Sequence, residues 1–247
     1  MSRLRQAEGK AKILMKSEEG SASSASHAIA NWRSGGSGMA KLPHGRHGID
    51  RDEVEASQRG RMLRACLEQI GRTGAVNVAD IVRGALVSRK TFYEHFSSCE
   101  ECVAEAVVTA NLVIGAEMAA GIDRADPSDP LYKVRTLVAD FCSMASEEPL
   151  IALAIVGTTY ALEQPTKQAW LDITTARRAI LMAYWDEARA RDPKLAPTTT
   201  NRLTAAIAFM ERFLLEQIAA VRESELPDLA DELADSMVEI VGGLLLP

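Results

Sequence analysis

The sequence predicts an all-α protein of about nine helices: a small helix-turn-helix domain followed by a larger helical domain. Three observations carry that expectation. From residue 50 onward, apolar residues recur at helical spacing. The runs are broken at Asp126-Pro127, Glu148-Pro149, Gln164-Pro165, Asp192-Pro193 and Leu226-Pro227. No run of strand period bounded by turn residues occurs.

Residues 1–48 are expected to form a disordered basic extension. Gly20 to Ser26 and Ser34 to Gly38 are rich in Ser, Gly and Ala and offer little apolar surface against the entropy of ordering. Met39 stands where organised sequence is about to begin and is a candidate translation start. A first helix over about 50–72 has Asp50 and Glu53 at capping-box spacing and Leu63, Cys66, Leu67 and Ile70 on one face. Gly71 and Gly74 mark its end. Asn77 can cap a short second helix with Val78, Ile81, Val82 and Ala85 inward. Ser88 can cap a third, ending near Phe96, and Ser98 with Glu101 starts a long fourth helix toward Ile122. Pro130 suits the first position of a fifth helix over about 130–145. Helices at about 149–162, 166–190, 199–223 and 228–245 follow.

The chain has 247 residues, 47% hydrophobic and 25% charged, which is ordinary for a globular protein and long enough to bury a core without disulfides. The longest uncharged stretch, Pro149 to Leu162, is too short to span a bilayer, and the basic residues near the N-terminus are not followed by the apolar region of a secretory signal. Four Cys without framework spacing suggest a reducing compartment. Charge is unevenly spread. Residues 1–49 carry eight Lys/Arg against three Glu, a local +5 within a chain of net charge −6. Such a basic arm on an acidic body suits a polyanion contacted at one end, or simply a solvated tail.

Asn77 to Glu101 is the informative stretch. Two helices of about eight residues joined by a three- to four-residue turn make a helix-turn-helix. Neither can fold alone at that length, so both must pack on the first helix. With Phe92 and Phe96 inward, the outer face of the third helix carries Ser88, Arg89, Lys90, Thr91, Tyr93 and His95. Arg and Lys can reach guanine O6 and N7 in a major groove, and the hydroxyls can reach bases or phosphates.

The order Val87-Ser88-Arg89-x-Thr91-Phe92-Tyr93-x-His95-Phe96 resembles the helix-turn-helix signature of TetR-family transcriptional regulators. By motif the resemblance covers residues 50–105, and beyond them only by helix count, lengths and proline punctuation. It implies an all-helical homodimer with a DNA-binding domain at 49–100 and a ligand-binding and dimerisation domain at 101–247. It also implies that Arg89, Lys90 and Thr91 contact bases and backbone, that Tyr93 and His95 hold phosphates, and that Lys41 and Arg46 lie on an arm reaching toward the minor groove. Two positions depart from the pattern: Leu86 replaces a turn glycine, and Cys99 replaces a lysine that usually contacts a phosphate. If the turn needs positive φ, Leu86 is strained.

Residues 106–247 are acidic and would repel DNA. Their last two helices carry apolar stripes, Leu203, Ile207, Met210, Leu214 and Ile218, then Leu229, Leu233, Met237, Ile240 and Leu244. Two such helices from each of two subunits would form a four-helix interface, and the alternative is an internal core. A homodimer would read a near-palindromic operator in double-stranded DNA. Phe141, Met144, Tyr160, Trp170, Met182 and Trp185 could line a pocket for a small apolar ligand, or could be plain core.

No P-loop, GxSxG, HExxH or dinucleotide fingerprint occurs, and no paired carboxylates suggest catalysis, so no enzyme activity and no cofactor are expected. His95-x3-Cys99-x2-Cys102 is a partial zinc spacing without a fourth ligand, and no metal is expected. A helix N-terminus would lower the Cys99 thiol pKa. The leading expectation is a cytoplasmic bacterial repressor, bound to the nucleoid when on DNA, released by a small-molecule ligand. The alternative is a dimeric small-molecule- or protein-binding module of the same fold that does not bind DNA.

Overall fold

The computed structural model describes residues 51–124, 126–157, 166–219 and 229–243. Among them are nine helices and no strand: α1 (Arg51–Thr73), α2 (Val78–Ala85), α3 (Arg89–His95), α4 (Cys99–Arg124), α5 (Tyr132–Glu147), α6 (Pro149–Gly157), α7 (Thr166–Arg191), α8 (Thr200–Ala219) and α9 (Ala230–Gly242). The basic extension, with Lys41, Arg46 and the Asp50 cap, lies outside the described residues, as do Tyr160, Leu244 and the side chain of Trp170.

The described residues fall into two compact bodies. The first comprises residues 51–113, 153–157 and 166–170. Its platform is α1, whose Met62, Leu63, Cys66, Leu67 and Ile70 are buried. Gly71 stays within that helix, and the stop is Gly74, at φ 73° with its N–H donating to the Ile70 carbonyl at 2.7 Å. Across from α1, α2 approaches so closely that a Cβ on Gly84 would stand 2.9 Å from that of Ala65.

The second body holds residues 114–124, 126–152, 171–219 and 229–243. Here α5, α8 and α9 pack on one another. Helix α5 starts two residues later than Pro130 suggested. The Asp129 carboxylate accepts from the Leu131 N–H at 2.8 Å, and the Asp129 carbonyl accepts from the Tyr132 N–H at 3.1 Å, so a turn precedes the helix. Ion pairs tie the helices at their edges, Lys133 to Glu187 at 2.6 Å and Arg135 to Asp235 at 2.8 Å. A Cβ on Gly121 of α4 would fall 1.8 Å from an Asp140 carboxylate oxygen, so a larger residue there would make the Asp140 side chain turn away. One segment among the described residues, Cys99–Ile122, has the length and hydropathy of a bilayer-crossing helix. Its Cys102, Ala106, Val107, Ala110 and Val113 are nevertheless buried against other parts of the protein.

Leu86 alone among the described non-glycine residues has positive φ, 55° with ψ 43°. The left-handed region costs an L-residue about 1–2 kcal/mol, part of which glycine would return through its own entropy. We therefore expect Leu86→Gly to raise the stability of the protein by about 0.5–1 kcal/mol, and Leu86→Val to lower it. Urea unfolding midpoints of the two variants check this, and a Leu86→Gly midpoint at or below that of the wild type would show that the turn stores no strain.

Candidate nucleic-acid interface

Capping fixes both ends of α2. Asn77 accepts a hydrogen bond from the Asp80 N–H at 3.0 Å, and its own amide donates to the Asp80 carboxylate at 2.7 Å. At the far end, the Leu86 N–H reaches the Arg83 carbonyl at 3.4 Å and the Val87 N–H reaches the Val82 carbonyl at 3.1 Å. These two bonds are the Schellman arrangement, usually closed by glycine. The leucine thus accepts the strained conformation and keeps the turn geometry, with its side chain exposed.

Ser88 then caps α3, accepting from the Thr91 N–H at 3.0 Å and sharing a 2.9 Å hydroxyl contact with Thr91. Phe92 and Phe96 are buried, which forces the opposite side of α3 outward. Arg89, Lys90 and Tyr93 are exposed, Tyr93 at 57%, while Thr91 and His95 are half-buried. Phe92 braces the Tyr93 ring edge-on, with centroids 5.3 Å apart at 89°. Lys90 has a loose partner in Glu94 at 3.5 Å, both largely exposed. No acidic residue stands in the first turn of α3. A two-turn helix therefore presents two cations and a phenol on a rigid apolar base.

Two arginines of α1 support this unit, and residue types and spacing did not mark them. Nη1 of Arg61 donates to the Ala85 carbonyl at the end of α2, at 2.9 Å. Nη1 of Arg59 donates to the His95 carbonyl at the end of α3, at 3.2 Å. Each cation thus satisfies an orphan carbonyl and opposes the negative end of a helix dipole. Arg59 also clasps the Glu105 carboxylate with two nitrogens, Nε at 2.6 Å, and lies 4.6 Å from the Phe96 ring centre.

The cysteines behave otherwise than a helix N-terminus suggests. Cys99 is half-buried with its thiol donating to the Val76 carbonyl at 3.9 Å. Burial, with Cys102 and Glu100 beside it, pushes its pKa up to about 11. Cys102 is raised further, by its hydrogen bond with the Cys66 thiol and by burial. Desolvation outweighs the helix dipole, and these thiols are not activated nucleophiles. Among the described residues no three or more His, Cys, Asp or Glu come close enough to hold a metal ion.

No family model and no curated protein matches the chain. Solved structures do. The fatty acid degradation regulator FadR of Bacillus halodurans superposes with TM-score 0.62 at 12% identity, over 72% of this chain and 96% of that one. The transcriptional regulator FadR of Bacillus subtilis, solved in complex with stearoyl-CoA, gives 0.62 at 14% identity, over 73% and 98%. A TetR-like transcriptional regulator of Rhodococcus sp. RHA1 gives 0.59 at 14% identity, over 81% and 100%. The chain has the TetR-like regulator fold.

In this TetR-like fold the remaining expected site residues divide. The apolar stripes of α8 and α9 are mostly not free for a partner. Leu203, Met210, Leu214, Ile218, Leu233 and Met237 are buried within the single chain, because α8 and α9 turn these faces toward each other and α5. Ile207 and Ile240 are half-buried, and Phe209, 41% exposed, points outward beside Phe213. Of the expected pocket residues, Phe141 and Trp185 are buried, and the Trp185 indole N–H already donates to the Ala196 carbonyl at 3.0 Å. Met144 and Met182 are half-buried.

His95 gives this surface a pH dependence. Burial first, then the Arg59 charge, hold its imidazole below the usual histidine value, so the fold favours the neutral ring. The stability this contributes is fully present above about pH 6.5, the unfolded value, and is lost as pH falls through the lower folded value. The wild type should lose stability relative to His95→Gln between pH 7.5 and pH 5 in urea titrations. Parallel pH curves for the two proteins would refute the assignment.

Proposed function

We propose that this chain is a TetR-family, sequence-specific DNA-binding transcriptional regulator that works as a homodimer and is released from DNA by a small apolar ligand. The single observation carrying the reading is the outer face of α3. Arg89, Lys90 and Tyr93 project from a capped helix whose opposite side is pinned by Phe92 and Phe96. Held this way, the helix can enter a major groove with Arg89, Lys90 and Thr91 toward base edges and Tyr93 and His95 toward phosphates. Ser88 acts through its cap. Lys41 and Arg46 extend the contact along an adjacent minor groove. The retained Schellman turn at Leu86 supports DNA reading over a binding module that has lost it, whereas Cys99 in place of a lysine removes one phosphate contact.

Two copies pair through the outward faces of α8 and α9, centred on Phe209. Their recognition helices then read half-sites one helical turn, about 34–36 Å, apart on a near-palindromic operator. The ligand occupies the body containing Phe141, Met144, Met182 and Trp185. The stearoyl-CoA bound to the Bacillus subtilis neighbour supports a ligand with an apolar chain here. Repression is relieved because the ligand binds the DNA-incompetent state better. The protein acts in the cytoplasm, without catalysis or a membrane step.

Selection of duplexes from a random pool, followed by fluorescence anisotropy at two salt concentrations, tests the reading. Arg89→Ala is expected to relax discrimination at one base pair by about 1–3 kcal/mol, and Tyr93→Ala to weaken binding to all selected duplexes alike. Wild-type discrimination by Arg89→Ala would remove the base contact, and failure of folded dimer to enrich any sequence would favour the binding module. Sedimentation tests the pairing independently. Phe209→Glu places a charge in the contact and should shift the protein to monomer without lowering its helix content. An unchanged dimer would move the interface elsewhere.

A further inference from the structure

Arg59 links three elements of the first body at one point. Its Nε and Nη2 take both oxygens of Glu105 on α4, its Nη1 donates to the His95 carbonyl that ends α3, and its plane lies over Phe96. A planar fork with a stacking face is arginine chemistry that lysine does not reproduce. The Arg59 and Glu105 side chains are 30% and 32% exposed, so the pair is mostly buried and water screens it only in part. Helix α3 has only seven residues. Its N-terminus is fixed by the Ser88 cap, but its last turn, which carries Tyr93 and His95, ends on a carbonyl that accepts from Arg59 of α1.

We propose that Arg59 is a positioning residue for DNA binding: it sets the angle of α3 by holding the His95 carbonyl and the Phe96 ring against Glu105 of α4. The proposal rests on the reading of α3 as the recognition helix, and Arg59 itself touches no DNA. Because the clasp reaches α4 only through the Arg59 and Glu105 side chains, a change in where Glu105 stands alters the pose of the α3 outer face without any loss of helix.

The test uses the full chain and a duplex recovered by the wild type from a random pool. Arg59→Gln should weaken binding by about 10- to 100-fold, the equivalent of one charge-assisted hydrogen bond, and lower the unfolding midpoint by no more than that same free energy, while helix content stays close to wild type. Arg59→Lys should restore the charge but not the affinity. Arg59→Gln combined with Glu105→Gln should be no weaker than Arg59→Gln alone, since one clasp is being removed twice. Without any DNA, Arg59→Gln should speed hydrogen exchange at the Phe96 amide and move the His95 imidazole titration upward in NMR spectra. Wild-type affinity in Arg59→Gln, full rescue by lysine, or affinity lost only in step with helix content would overturn the proposal. If the wild type enriches no duplex, the DNA reading fails instead. Unchanged Phe96 exchange and His95 titration would then overturn the clasp on its own terms.

Discussion

A helix of seven residues and one of eight cannot persist in water by themselves, so the helix-turn-helix exists only as far as α1 supports it. Its closest point is the contact of Gly84 with Ala65, where a methyl group would force α2 away from the platform. From that approach the rest follows. Ile81 and Ala85 are buried, the Ala85 carbonyl comes within reach of Arg61, and the turn at Leu86 delivers Ser88 to start α3. A larger residue at position 84 would displace the reading face before touching any functional side chain.

What was legible in the sequence is what depends on neighbours close along the chain. Asn77, Ser88 and the Ser98–Glu101 pair cap the helices they precede, since a cap needs only the next turn. The alternation of Phe92 and Phe96 with Arg89, Lys90 and Tyr93 assigned inner and outer faces, because seven residues of helix leave no other apolar base. The strain at Leu86 was readable for the same reason: the turn after α2 asks for a left-handed residue whatever fills it.

Long-range partners were not legible. Nothing near Arg59 signals Glu105, 46 positions away, or that its remaining nitrogen would meet the His95 carbonyl. The stripes on α8 and α9 declared themselves buried but could not name the surface that buries them, because an apolar face packs equally well on its own chain or on a copy. The structure gives most of those faces to the chain's own core and leaves Phe209 outside. At Cys99 a local rule had the wrong sign. A helix N-terminus stabilises a thiolate, yet here the loss of water and the neighbouring Cys102 and Glu100 outweigh it.

On the proposed reading of α3 as a DNA-binding helix, the charge around it makes orientation matter more than attraction. Lys90 faces Glu94, while Glu100 and Glu101 follow at the start of α4, and the chain beyond its first 49 residues is acidic. Glu101 is held ionised by hydrogen bonds from the Ser97 hydroxyl and N–H, so that local negative charge is fixed. Non-specific binding to DNA grows with the number of phosphates neutralised, and a surface so balanced neutralises few. Specific contacts lose less, because a bidentate arginine or a well-placed phenol depends on distance and angle rather than on net charge. Weak non-specific binding widens the ratio on which site selection in a genome depends. It also removes the margin that a strongly basic surface would provide, so a small rotation of α3 cannot be compensated by general attraction to the duplex.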